Sequence, residues 1–226
     1  MSSDREVCTI ESKGGITLDA RIYRPAAAAE PENPTGELVA VLVHPYSVLG
    51  GCQGLMRGIA RRLAERGVAA MTFDMRGVGR STGRASITGF AEVDDVVSVC
   101  KWASQNLTAR RIVLIGSSAG APIAGSALDK IDEVIGYVSL GYPFGFIASI
   151  LFGRHHKAVL QSPKPKLFVM GTRDGFTSVK QLESKLKNAA GHNQIHLIEG
   201  VNHFQMEGPA YDEQMANVIV EFISSL

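Results

Sequence analysis

The chain has 226 residues, 45% hydrophobic and 20% charged, with a formal net charge of +1. That length suits one large domain over residues 1–226, and a domain of this size buries roughly 70% of the surface its unfolded chain exposes. The charge balance points away from nucleic acid and from anionic membrane surfaces as partners. Three cysteines, Cys8, Cys52 and Cys100, are widely spaced and form no C-x-x-C pair. An odd, scattered set argues against a disulfide framework or a zinc site and for a reducing, cytoplasmic setting.

Met1 to Val7 is polar and charged and has no apolar signal-peptide core. Two short strands, Val7–Glu11 and Ile16–Tyr23, flank Gly14-Gly15, a hairpin signal. Pro25 to Gly36, rich in Ala, Pro and Glu, reads as an exposed connection. Strands and helices then alternate. Leu38–Val43 is a continuous apolar run, as a strand buried on both faces requires. Leu55–Arg66 carries apolar residues at helical spacing with arginines opposite. Val68–Phe73 reads as a strand, Gly89–Ser104 as a helix, Arg111–Ile115 as a strand and Ala119–Ile131 as a helix. Val134–Leu140 and Lys166–Met170 read as strands, Thr177–Ala189 as a helix, Gln194–Ile198 as a strand and Tyr211–Ile223 as the closing helix. This alternation predicts an α/β fold: a mostly parallel central sheet, helices on both faces and an N-terminal antiparallel hairpin.

Val134 to Gly153 is uncharged over the length of a membrane span. Pro143 and four glycines divide it, so the expectation is a buried strand, an apolar loop and a short helix, with no membrane span.

The strongest motif is Gly116-Ser117-Ser118-Ala119-Gly120, between the strand Arg111–Ile115 and a small-residue helix. A nucleophile elbow needs this strand–turn–helix context, because the serine must project from the sheet edge on a strained turn. Glycines two before and two after it remove Cβ clashes. The pattern selects Ser118; Ser117 occupies the variable position. A serine hydroxyl needs a base, and the base needs an orienting carboxylate, here in the chain order Ser, acid, His. Asp174 follows the strand Lys166–Met170, and His203 follows Gln194–Ile198. All three stand at the carboxyl ends of strands, where sites on open α/β sheets gather. Glu199 is a second choice of acid, while Asp94 and Asp95 precede the nucleophile and fit the order badly. His192 lies in a polar turn and His196 in a strand. His155 and His156, in Arg154-His-His-Lys157, read as a solvated basic turn with no Cys or carboxylate cluster to make a metal site.

The developing oxyanion needs donors. One is the Ala119 N–H, at a helix N-terminus where the dipole favours an anion. The second comes from His44-Pro45-Tyr46-Ser47; Pro45 has no N–H, so Tyr46 is the first donor in line, with Ser47 behind it. His44 precedes the nucleophile and reads as a residue that shapes this loop. Gly77-Val-Gly79 fails as a dinucleotide loop because the next glycine stands at 83.

His44-Pro45, Gly50-Gly51, Phe73-Asp-Met-Arg-Gly-Val-Gly-Arg-Ser81, the elbow, Asp174 and His203 together resemble the small α/β-hydrolases related to dienelactone hydrolase, over roughly Leu38 to Phe204. The resemblance implies an eight-stranded type of sheet, a Ser-His-Asp triad and hydrolysis of esters or related acyl compounds. Dienelactone hydrolase has a cysteine nucleophile where this chain has Ser118, so its substrate does not carry over. No cofactor or metal is expected. Cap domains in that superfamily enter between the strands corresponding to Val134–Leu140 and Lys166–Met170; the short connection here leaves room for a short helix and no full lid. Phe144, Phe146, Ile147 and Phe152 in that connection either pack the helix or line an apolar pocket, and Phe204 beside His203 joins the pocket candidates. The leading expectation is a serine hydrolase cleaving a carboxylic ester, thioester or similar small acyl substrate through an acyl-enzyme. A peptidase or an acyltransferase would use the same triad, and a non-catalytic binding or scaffold protein would keep the fold alone.

Overall fold

The computed structural model describes residues 5–25, 37–46, 48 and 50–226, except the side chains of Phe146, Ile147 and Glu207. Eight strands form one sheet: β1 (Arg5–Ser12), β2 (Ile16–Tyr23), β3 (Leu38–Val43), β4 (Ala69–Phe73), β5 (Arg111–Ser117), β6 (Val134–Leu140), β7 (Lys166–Gly171) and β8 (Asn193–Ile198). Their order is β1-β2-β4-β3-β5-β6-β7-β8. The hairpin β1–β2 and the pair β2–β4 are antiparallel, and every other pair is parallel. The reversal of direction along the chain falls between β3 and β5, which pair directly. An open α/β sheet gathers its ligands at such a switch point.

Among the described residues six α-helices cover the two faces: α1 (Arg57–Glu65), α2 (Phe90–Asn106), α3 (Gly120–Gly125), α4 (Phe146–Gln161), α5 (Val179–Leu186) and α6 (Asp212–Ser224). Strand β3 shows why both faces need cover. Leu38, Ala40 and Leu42 pack with Ile59 and Leu63 of α1 and Met215 and Ile219 of α6. Val39, Val41 and Val43 pack in the opposite cluster, with Val96 of α2 and Ile123 of α3. All six strand residues are buried, so the period-two alternation of side chains divides them between two cores instead of between core and water.

Two segments depart from the sequence expectation. The helix expected over Ala119–Ile131 ends at Gly125 and resumes as a 3-10 turn at Leu128–Lys130. There the Ser126 N–H is shared between the Pro122 and Ile123 carbonyls, the bifurcation that tightens a helix end. The connection between β6 and β7 holds a sixteen-residue helix, α4, where a short one was expected. His155 and His156 lie within it and are buried, which corrects the reading of a solvated turn. Phe152, His155, His156 and Val159 form a buried i, i+3, i+4, i+7 stripe, while Arg154 and Lys157 face solvent. His155 bonds Ser126 Oγ at 2.6 Å and the Thr88 carbonyl at 2.7 Å, and His156 bonds the Tyr142 hydroxyl at 2.9 Å. No helix among the described residues is long and apolar enough to cross a membrane.

Candidate active site

Ser118 follows β5 at φ +49°, in the left-handed region that a residue with a Cβ occupies only under constraint. The constraint is local. The Ser118 N–H donates to the Leu140 carbonyl at 2.8 Å, tying the turn to β6. The flanking glycines each clear a different neighbour. A Cβ on Gly116 would meet the Ala121 backbone at 2.5 Å, and one on Gly120 would meet the His44 carbonyl at 2.0 Å. The first glycine admits α3 against β5, and the second lets the loop after β3 approach the elbow.

Ser118 Oγ lies 2.7 Å from His203 Nε2, and His203 Nδ1 lies 2.6 Å from Asp174 Oδ2. The carboxylate at Nδ1 assigns the ring proton to that nitrogen and leaves Nε2 to accept from the serine hydroxyl. The histidine and aspartate side chains are 4% and 1% exposed. Each sits on a loop that its own sequence fixes. Asn202 and Gln205 form a reciprocal capping box around His203. Asp174 accepts through Oδ1 from the N–H groups of Phe176 and Thr177 at 2.7 and 2.9 Å. Burial alone would push the Asp174 carboxyl up. The hydrogen bond and charge of His203, with those two N–H groups, outweigh it and hold the carboxyl below its ordinary range.

Facing the elbow is the loop His44-Pro45-Tyr46. His44 Nε2 accepts from the Met75 N–H at 3.0 Å, so its proton sits on Nδ1, which donates to the Pro45 carbonyl at 2.6 Å. Burial lowers the His44 pKa against the opposing pull of the Pro45 bond and Asp74, which favours the neutral ring that this pattern needs. In a trans peptide C=O and N–H point in opposite directions. Fixing the Pro45 carbonyl on His44 therefore turns the Tyr46 N–H the other way. Among the described residues, neither the Tyr46 N–H nor the Ala119 N–H has a hydrogen-bond acceptor.

A cavity of about 520 Å³ opens over Ser118. Tyr46 and Leu55 wall it on the β3 side, Leu151 and Phe152 reach it from α4, and Phe176 and Phe204 stand on the β7 and β8 side. Phe176 and Phe204 also pack on the His203 ring, at centroid distances of 4.6 and 5.4 Å. Among the described residues, no three His, Cys, Asp or Glu side chains gather where they could hold a metal ion.

A family model described as an alpha/beta hydrolase domain matches residues 50–224. The chain belongs to that family. An uncharacterized protein of Rickettsia prowazekii is 27% identical over 189 residues, covering 80% of this chain and 76% of the relative. Among solved structures, an alpha-beta serine hydrolase homologue from Coxiella burnetii is similar at 24% identity, covering 98% of both chains with a TM-score of 0.78. An α/β serine hydrolase without a lid from Xanthomonas campestris is similar at 21% identity, covering 98% of this chain and 95% of its own, also at 0.78. An esterase from Pyrococcus furiosus is similar at 18% identity, over 98% and 92%, at 0.74. These structures share the fold.

In this α/β-hydrolase the residues named from sequence fall as follows. Ser118, His203 and Asp174 come into hydrogen-bond contact. Ala119, Tyr46 and Phe204 line the cavity. Phe144 does not: it is buried, its ring centroid 4.2 Å from that of Tyr142 and close to His156 and Phe168, and its N–H donates to Thr177 Oγ1. The side chains of Phe146 and Ile147, and all of Ser47, lie outside the described residues. Glu199 is exposed at the end of β8, and Asp95 pairs with Arg76, so neither competes with Asp174. Sequence reasoning passed over Leu55, Leu151 and Phe176 in the lining. Phe176 carried a readable signal, two residues after Asp174 in the same turn; Leu55 and Leu151 looked like ordinary helix residues.

Proposed function

We propose that the protein is a serine hydrolase that cleaves a carboxylic ester, thioester or similar small acyl substrate through an acyl-enzyme. The observation that carries this reading is the unbroken relay from Ser118 Oγ through His203 to the Asp174 carboxylate, at 2.7 and 2.6 Å. Ser118 attacks the acyl carbon as His203 Nε2 takes its proton, and Asp174 stabilises the imidazolium that forms. The N–H groups of Tyr46 and Ala119 receive the oxyanion. His203 then gives the proton to the leaving group, and a water, activated by the same ring, releases the acid. The family and the esterase from Pyrococcus furiosus, which shares the fold, support hydrolysis over a binding role, and three free cysteines suit a cytoplasmic protein.

A fluorophosphonate probe tests this reading, followed by a panel of aryl and alkyl esters. The wild type is expected to label stoichiometrically and to turn over at least one ester, and Ser118→Ala to do neither. A folded wild type that neither labels nor hydrolyses any of the panel would refute it.

A further inference from the structure

The order of the strands gives the cavity two chemically different ends. Tyr46 and Leu55 follow β3, Ser118 follows β5, and Phe176 and Phe204 follow β7 and β8. Because β3 and β7 lie on opposite sides of β5, the two groups face each other across the serine. Phe152 belongs to the β3 end, where its ring meets Tyr46 edge-on at 5.8 Å.

The chemistry of acyl transfer assigns each end. A tetrahedral centre on Ser118 Oγ has three other substituents: the oxyanion, the leaving oxygen and the acyl carbon. The oxyanion turns to the N–H groups of Tyr46 and Ala119. His203 must protonate the leaving oxygen, so that oxygen lies on the side of Phe176 and Phe204. The acyl carbon takes the remaining direction, into the space walled by Leu55, Tyr46 and Phe152. As the Oγ–carbon bond forms and the carbon–leaving-oxygen bond breaks, the proton passes from Oγ to Nε2 to the leaving oxygen.

The ends also differ in closure and polarity. Tyr46 and Phe152 are 3% and 2% exposed and close the inner part of the first end, with Leu55, 40% exposed, at its rim, whereas Phe176 and Phe204 are 49% and 68% exposed and make an open ledge. No described lining residue carries a formal charge. Ser47, Leu49, Phe146 and Ile147, next to the lining in sequence, carry none either. A carboxylate entering this end would lose its hydration and meet no cation.

We propose that this site, read as the serine hydrolase site above, takes an uncharged, apolar acyl group of bounded length against Leu55, Tyr46 and Phe152, and that Phe176 and Phe204 form an open ledge tolerant of large leaving groups. The test uses the full chain and p-nitrophenyl esters from acetyl to dodecanoyl, each medium-length member paired with an ω-carboxylate of equal length. Over the short members kcat/KM is expected to rise about fourfold per methylene, then to fall once the closed end is full. The ω-carboxylates are expected to run at least about 100-fold below their neutral partners. Phe152→Ala moves the optimum to longer acyl groups. Leu55→Trp, at a 40% exposed position that does not open the core, moves it to shorter ones. Neither changes the ranking of a series of alcohols on one acyl group. A flat acyl profile, ω-carboxylates within about tenfold of their partners, or a Leu55→Trp effect confined to the alcohol series would overturn the proposal. Fluorophosphonate labelling on the same preparation separates the two failures. Labelling with a flat profile overturns this inference alone, and no labelling overturns the hydrolase reading beneath it.

Discussion

Replacing His44 with leucine separates positioning from chemistry, because His44 touches no substrate. Its ring holds the Pro45 carbonyl at 2.6 Å and accepts from the Met75 N–H at 3.0 Å. In His44→Leu the Pro45–Tyr46 peptide is free to rotate, and the Tyr46 N–H loses the orientation that the proposed oxyanion site requires. Losing one such donor costs about 10²- to 10³-fold in kcat. Because burial favours the neutral ring, the variant removes hydrogen bonds and no charge. It also leaves a buried carbonyl and a buried N–H unpaired, each costing about 1–3 kcal/mol. A loss of about 2–6 kcal/mol from a total stability of about 5–15 kcal/mol weakens the chain markedly. The assay is steady-state hydrolysis of a p-nitrophenyl ester at reduced temperature, with folding checked by circular dichroism. The expected result is a fall in kcat with KM changed by less than about threefold, since ground-state binding does not use this N–H. His44→Gln, whose amide supplies both a donor and an acceptor, recovers at least about tenfold of the loss. A folded His44→Leu with kcat within about threefold of wild type, or one whose defect lies wholly in KM, refutes the positioning role.

Asp174→Asn keeps an oxygen for the Phe176 and Thr177 N–H groups but presents the wrong partner to His203 Nδ1; kcat is expected to fall by about 10⁴ while fluorophosphonate labelling slows without vanishing. Ser118→Gly and Ser118→Ala both delete the hydroxyl, but only glycine relaxes the φ of +49°, so urea denaturation is expected to find the glycine variant more stable by about 1 kcal/mol; equal midpoints would mean the elbow carries no strain. Burial, with repulsion from Lys185 and His155, lowers the His156 pKa to about 4. Between the unfolded value of about 6.5 and that folded value, the unfolded chain binds a proton that the folded chain does not, so stability is full above this window and falls as pH drops through it, by about 3 kcal/mol at its lower end. Urea midpoints from pH 7 to pH 4.5 read this loss, and His156→Gln, which keeps a partner for the Tyr142 hydroxyl, makes it shallower, the remainder belonging to His44 and His155, whose pKa values burial also lowers; an unchanged slope would count against the assignment.

Much of the frame was legible because a buried parallel sheet writes its strands as apolar runs. β2, β3 and β6 lie at the residues read from sequence, and the elbow's small residues answer contacts that the structure shows. The glycines do so individually, one against α3 and one against the His44 carbonyl, a distinction that no pentapeptide contains. α4 was harder for a physical reason. Its buried stripe includes two histidines, which count as polar in a periodicity test, between an arginine and a lysine that do face solvent. For Phe144 the sequence left packing and lining open, because an aromatic near a site can do either; it is buried, with its N–H on Thr177 Oγ1. Chain order brought Asp174 and His203 into consideration, but their meeting depends on loops shaped by Asn202, Gln205 and Thr177, whose roles appear only once β6, β7 and β8 lie side by side.

The central claim is that Ser118 is the nucleophile. Mapping the fluorophosphonate adduct by peptide mass spectrometry tests it most directly. The account predicts one adduct per chain, on Ser118 and not on neighbouring Ser117, absent from Ser118→Ala and strongly slowed in His203→Ala. An adduct on Ser117 or on another residue, or labelling that persists in folded Ser118→Ala, would contradict it.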